Sequence, residues 1–203
     1  MSGDVHVRFR EGGGVRFPSA TRLIILFERR DDAERVFVVL PKRMARFNLT
    51  LHPDKTRLLP FGCPPRGQIG GKGPATFDFL GFTLYWRRTL AGGWRVGLKT
   101  RRARLQKAMR AIAEFCRGHR HDPVKEQHAA LCRRLRGHFN YFGVNGNFAG
   151  LARLARAAER SWYKWLRRRS QRTRLTWERF MGLLKARPLP PPRIYVQVWG
   201  HAP

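Results

Sequence analysis

The hydrophobic pattern changes period partway along the chain. Up to about residue 99, apolar residues come in short runs or alternate with polar ones. Leu23 to Phe27 is a compact apolar run that reads as a buried strand, and Thr56 to Phe61 reads as a strand weakened by Pro60. Phe77, Phe79 and Gly81 alternate with Asp78 and Leu80 and lead into Thr83 to Trp86; a turn near Ala91-Gly92-Gly93 then introduces Trp94 to Leu98 as a partner strand. One helix interrupts this β-type half. Val36, Phe37, Leu40, Met44 and Phe47 keep helical spacing behind Asp31 or Asp32 as cap, and Pro41 inside it is expected to kink it at a cost of roughly 3 kcal/mol. His52 to Lys55 reads as a turn and residues 62 to 75 as a Gly/Pro-rich connection. Residues 1 to 22 keep no sustained period and form an irregular lead-in, read either as a short strand and loop or as disorder.

From Thr100 the period is helical throughout. Leu105, Ala108, Met109, Ile112, Phe115 and Cys116 share a face that Gly118 terminates. Asp122-Pro123 opens a second helix, with Leu135, Phe139 and Phe142 on one face and Arg133, Arg136 and Asn140 on another. Asn145-Gly146-Asn147 breaks the chain before a third helix over about 147 to 169. Its apolar stripe is Leu151, Leu154, Ala155, Ala158, Trp162 and Trp165. A separate row of Arg153, Arg156, Arg160, Lys164 and Arg167 recurs at the same steps. A fourth helix begins near Thr176 and ends before Pro188, and an extended Pro-rich tail follows over 188 to 203. The expected fold is α+β, with the boundary near residue 99. The sheet of the first half has few strands for its apolar content, as if part of a larger sheet were missing.

Charge turns this pattern into a statement about partners. Lys plus Arg number 42 against 13 Asp plus Glu, a net +29. Residues 1 to 100 carry 18 basic and 8 acidic side chains and residues 101 to 203 carry 24 and 5, so the second half is the more strongly basic. Such an excess suits nucleic acid or an anionic surface. Five cations in one row repel one another by a few tenths of a kcal/mol per neighbouring pair, roughly, which makes most sense opposite a polyanion. The bland alternative is a solvated face on an ordinary bundle. Arginine far outnumbers lysine there, which favours forked phosphate contacts. No apolar run long enough to span a membrane and no secretory leader is read in the sequence, so a cytoplasmic, non-secreted protein is expected.

Catalytic chemistry is thin. Asp31-Asp32 is the one adjacent carboxylate pair, and helix capping accounts for it without metal. The histidines lack ligand spacing, the glycines at 12 to 14 and at 70, 71 and 73 lack a phosphate-loop pattern, and Cys63, Cys116 and Cys132 fit neither a disulfide framework nor a zinc site. No catalytic residue, metal or cofactor is therefore expected.

Seven stretches, LFERRDDAERV, LHPDKTRLLPFG, FDFLGFTLY, LRGHFNYFGVNGN, WYKWLRRRSQR, LTWERF and PLPPPRI, occur in an order and spacing that resembles group II intron-encoded reverse transcriptase/maturase proteins. The resemblance runs from about Leu23 to Arg193. It implies that residues 23 to 99 are the C-terminal part of a polymerase palm and that 100 to 187 are the helical thumb, or maturase domain X. In that family this region grips intron RNA, promotes its folding for splicing and helps to hold a DNA–RNA template-primer duplex. The family's Tyr-Ala-Asp-Asp motif would fall where this chain reads Ser19-Ala20-Thr21-Arg22, so both metal-binding aspartates are missing, as in a decayed or frameshifted reading frame.

The functional expectation is a non-catalytic, RNA-binding maturase fragment acting on group II intron RNA. Its expected contacts are Arg133, Arg136, His138, Asn140, Tyr141, Arg153, Arg156, Arg160, Lys164, Arg167, Arg168, Arg169, Gln171 and Arg172. Arg167, Arg168, Arg169, Gln171 and Arg172 are the leading candidates, and Trp162, Tyr141 or His138 are available for stacking on bases. Trp162 also lies on the apolar stripe, where a core role competes. A second reading makes the chain the C-terminal half of a split reverse transcriptase, completed by a separate N-terminal fragment. A third, a gene product without a selected role, predicts poor solubility.

Overall fold

A computed structural model describes residues 3–10, 22–64, 75–170 and 174–198. The chain is a mixed α+β protein that divides into two compact units, Met1–Leu80 with Leu84–Gly97, and Gly81–Thr83 with Leu98–Pro203.

In the first unit, β1 (Gly3–Arg10) is the central strand. It pairs antiparallel with β2 (Arg22–Phe27) on one side, and on the other with β4 (Arg57–Pro60) and, through Phe9 and Arg10, with β3 (Thr50–Leu51). Helix α1 (Arg30–Ala45) packs Ala33 and Leu40 against Ile25, Phe27, Leu51 and Leu58. Of the two readings of the lead-in, the short strand holds for residues 3 to 10, which form β1 and join the sheet. One expectation about the sheet is corrected here. The run Leu23 to Phe27 is not a fully buried strand: β2 lies at the sheet edge, Ile25 and Phe27 meet the helix, and Leu26 between them is 70% exposed. In a period-2 strand with one covered face, alternate side chains must point away from the cover. Helix α1 also starts earlier than the expected cap. Arg29 is the capping residue, no side chain caps the helix, and Asp31 and Asp32 lie in the first turn; the helix continues through Pro41 to Ala45.

Three further strands, β5 (Phe77–Phe79), β6 (Phe82–Arg88) and β7 (Trp94–Thr100), lie side by side in that order. Leu80 and Gly81, with φ of 48° and 84°, make the tight turn between β5 and β6, a left-handed pair suited to a two-residue hairpin. Phe61 is buried with Phe77 edge-on at 4.9 Å and Trp86 stacked at 5.3 Å.

The second unit is built on α2 (Arg102–Gly118), α3 (Val124–Phe142), α4 (Phe148–Arg167) and α5 (Trp177–Ala186). The apolar stripes read from the sequence form its core: Leu105, Ile112, Phe115 and Cys116 of α2, Leu131, Leu135 and Phe139 of α3, Leu151, Leu154, Ala158 and Trp162 of α4, and Phe180 of α5. The Trp162 indole N–H donates to Gln127 Oε1 at 3.0 Å, and the Gln127 amide donates to the Asp122 carbonyl at 2.8 Å, so a buried polar pair ties α4 to the start of α3. Thr176 caps α5 by accepting the Arg179 N–H.

The break between α3 and α4 is held from two directions. Asn147, 1% exposed, accepts the Thr100 N–H at 2.8 Å and donates to Thr100 Oγ1 and the Phe142 carbonyl, both at 2.8 Å. The tail then returns over the same turn. Tyr195 and Val196 N–H groups donate to the Gly143 carbonyl at 2.7 and 3.0 Å, and Asn145 N–H donates to Val196 O at 3.1 Å. Gly143 leaves no room for a side chain, since a Cβ there would meet the Phe139 carbonyl oxygen and come within 2.7 Å of the Tyr195 ring.

Candidate nucleic-acid interface

Helix α4 buries Leu151, Leu154, Ala158, Trp162 and Leu166, and its opposite face is set by the same period. Arg153, Arg156, Arg160, Lys164 and Arg167 fall on that face and all five are exposed. The helix holds one carboxylate, Glu159, and among the described residues no ion pair joins it or any other acid to the row. Arg133, Arg136 and Asn140 are likewise exposed, on the side of α3 opposite Leu131, Leu135 and Phe139. Two solvent-facing basic surfaces on consecutive helices result.

The aromatic candidates separate. Trp162 is fully buried and hydrogen-bonded within the core, so it offers no platform to a base. Tyr141 is 54% exposed, with its ring parallel to Phe82 at 5.9 Å. His138 is half-buried with its ring 4.5 Å from Phe142, and burial lowers its pKa to about 4. The imidazole is therefore neutral near pH 7 and supplies no charge to a phosphate.

The end of α4 also sorts into different roles. Arg167 is exposed. Arg169 is engaged inside the protein: its guanidinium donates to the carbonyls of His121 and Asp122 at 2.9 and 2.7 Å, closing the loop between α2 and α3. Its expected role as a free phosphate contact gives way to this, because its Nη2 already donates to two loop carbonyls, one of which, that of Asp122, also accepts from Gln127. Gln171 and Arg172 lie outside the described residues. Arg134 sits over the Phe115 ring at 3.9 Å and donates to the Ala130 carbonyl, packing rather than projecting. Sequence reasoning placed Trp165 only on the apolar stripe; its half-buried ring packs against the core and also has Arg117, Lys164 and Arg168 gathered round it. The signal was available: Trp165 stands at the border of the apolar stripe with cations one before and three after.

Asp31 and Asp32 are exposed and sit in ion-pair range of Arg29 and Arg35, at 4.0 and 3.9 Å. Among the described residues no three His, Cys, Asp or Glu side chains come together as a metal site, and no helix is long and apolar enough to cross a membrane. Cys116 and Cys132 are buried, and burial pushes the Cys116 thiol up to about 12, leaving it protonated and unreactive.

Compared with protein-family models and with curated proteins, the chain matches none.

Proposed function

We propose that the protein is an RNA-binding maturase fragment that docks on group II intron RNA and assists its folding for splicing, in the cytoplasm of a bacterial-type cell. The observation that carries the reading is the α4 row: five exposed cations at successive helical steps, without an ion-pair partner among the described residues. Like charges so arranged weaken a helix and are relieved when phosphates approach. The seven stretches that resemble group II intron-encoded maturases supply the choice of RNA, and the exposed Tyr141 ring adds a surface for an unpaired base.

The test is binding of the purified chain to a structured group II intron RNA and to an unrelated structured RNA of equal length across a salt series. A preference for the intron that survives physiological salt is the expected result. Equal, salt-labile binding to both would reduce the protein to a polycation.

A second reading has an observation of its own. Among the described residues β2 pairs only with β1, and Leu26 on the uncovered face of β2 is 70% exposed, as a strand-rich partner would require. A separately encoded fragment with polymerase fingers and an intact aspartate pair would then complete a split reverse transcriptase, with this chain helping to hold the DNA–RNA duplex. Co-purification of the two fragments with template-dependent DNA synthesis tests it.

A further inference from the structure

The crowded indole at the end of α4 carries a more specific statement about the bound anion. The Arg117 guanidinium lies 5.9 Å from the centre of the Trp165 ring, the Lys164 ammonium 5.4 Å and the Arg168 guanidinium 5.6 Å. Lys164 and Arg168 are neighbours on the α4 surface, while Arg117 reaches the same ring from the end of α2. All three side chains are exposed, and among the described residues none is ion-paired. One cation over an indole is ordinary support for an arginine stem. Three around one ring is a concentration of like charge, each lying within a Debye length, about 8 Å at physiological salt, of the same point.

The backbone beneath the cluster is fixed from both sides. Gln127 donates to the carbonyls of Arg120 and Asp122 at 3.4 and 2.8 Å from α3, and Arg169 donates to those of His121 and Asp122 from the end of α4. Arg120, on the loop so held, bonds back to the Arg117 carbonyl at 3.5 Å and to His121 Nε2 at 3.0 Å. The loop that follows Arg117 is thus tied down before any ligand arrives, so binding an anion there adds no cost for ordering that loop.

We infer that Arg117, Lys164 and Arg168, gathered round Trp165 above the stapled α2–α3 loop, form a discrete site for converging phosphate groups, as at a sharp bend of a folded RNA strand. The inference rests on the proposed RNA binding only for the source of those phosphates. The shared chemistry is two or more phosphates held close together, which a free polyphosphate also offers. The site differs from the α4 row, where charges are strung out along a line and suit an extended stretch of backbone.

Inorganic pyrophosphate is the probe, titrated calorimetrically into the full chain. The double variant Arg117→Gln/Arg168→Gln is expected to weaken pyrophosphate binding about tenfold or more, while Arg153→Gln/Arg156→Gln/Arg160→Gln changes it by less than about twofold. Pyrophosphate should also alter tryptophan emission in the parent chain and much less in Trp165→Phe. Equal losses in both multiple variants, no measurable binding by the parent chain, or an unaltered emission response in Trp165→Phe would each overturn the site. Competition between pyrophosphate and structured RNA for the cluster identifies the strand as the source. Pyrophosphate binding undisturbed by bound RNA supports the site and assigns it to a free polyphosphate. A chain that binds pyrophosphate at the cluster and no RNA at all would sink the maturase reading and leave the site standing.

Discussion

Helices α1 and α4 handle surface charge in opposite ways. On α1, Arg30 bonds Glu34 at 2.7 Å one turn away, and Asp32 lies 3.9 Å from Arg35, so the exposed face largely neutralises itself. On α4, five cations follow one another at the same spacing and among the described residues meet no carboxylate. A helix with a self-neutralised face has no electrostatic claim on the outside. A helix with an unbalanced row is held in place by its other face and keeps its charge for a partner, so α4 depends on the burial of Leu151, Leu154, Ala158 and Trp162.

That dependence can be broken first. Trp162→Ala removes a fully buried indole and leaves Gln127 Oε1 without its donor; a loss of about 3 to 5 kcal/mol in denaturant-unfolding stability is expected. A loss below about 1 kcal/mol would mean that α4 is not anchored by this stripe. Next in size, Arg153→Glu/Arg156→Glu/Arg160→Glu should cut affinity for structured RNA by about 100-fold and lower the slope of log affinity against log salt by about 2 or more, read by filter binding across a salt series. Unchanged affinity at moderate salt would remove α4 from the interface.

A third effect concerns pH. The folded-state pKa of His138 is lowered to about 4, so between that value and the ordinary range near 6.5 the unfolded chain binds the extra proton. The contribution of this group is fully present above the unfolded value and is lost as pH falls through the window. With its partial exposure discounted, about 1 to 2 kcal/mol is involved. His138→Leu should flatten the pH dependence of unfolding between about 4 and 6.5, and an unaltered profile would show that the ring is not desolvated. The smallest effects sharpen the contrast between the two helices. Arg153→Gln/Arg156→Gln/Arg160→Gln should raise thermal stability by a few tenths of a kcal/mol per relieved pair, roughly. Arg30→Gln/Arg35→Gln should lower it by less than about 0.5 kcal/mol and leave RNA affinity within about twofold.

Periodicity made α4 legible because a helix with a buried stripe dictates both faces at once: Leu151 to Trp162 inward, Arg153 to Arg167 outward. The cap at Thr176 was legible for a local reason, a side chain bonding three residues ahead. What the sequence hid was everything decided by a distant partner. Arg169 looks like its neighbours Arg167 and Arg168 along the chain, yet the carbonyls it meets lie 48 and 47 residues away. Trp165 draws Arg117 from another helix. Leu26 looks as apolar as Ile25, but register against β1 and the position of α1 decide which of them is covered. Spacing reports a face; it does not report what stands opposite that face.

The return of the tail over Gly143 has a consequence for the order of events on the ribosome. Helices α3 and α4 are complete by residue 167, but the turn between them is closed by Tyr195 and Val196. While those residues are still inside the exit tunnel, both helices can form but the joint between them lacks its latch. The two basic surfaces therefore acquire their final angle only once Tyr195 and Val196 have left the tunnel, and a nascent chain paused before that point would present the same arginines in a looser frame.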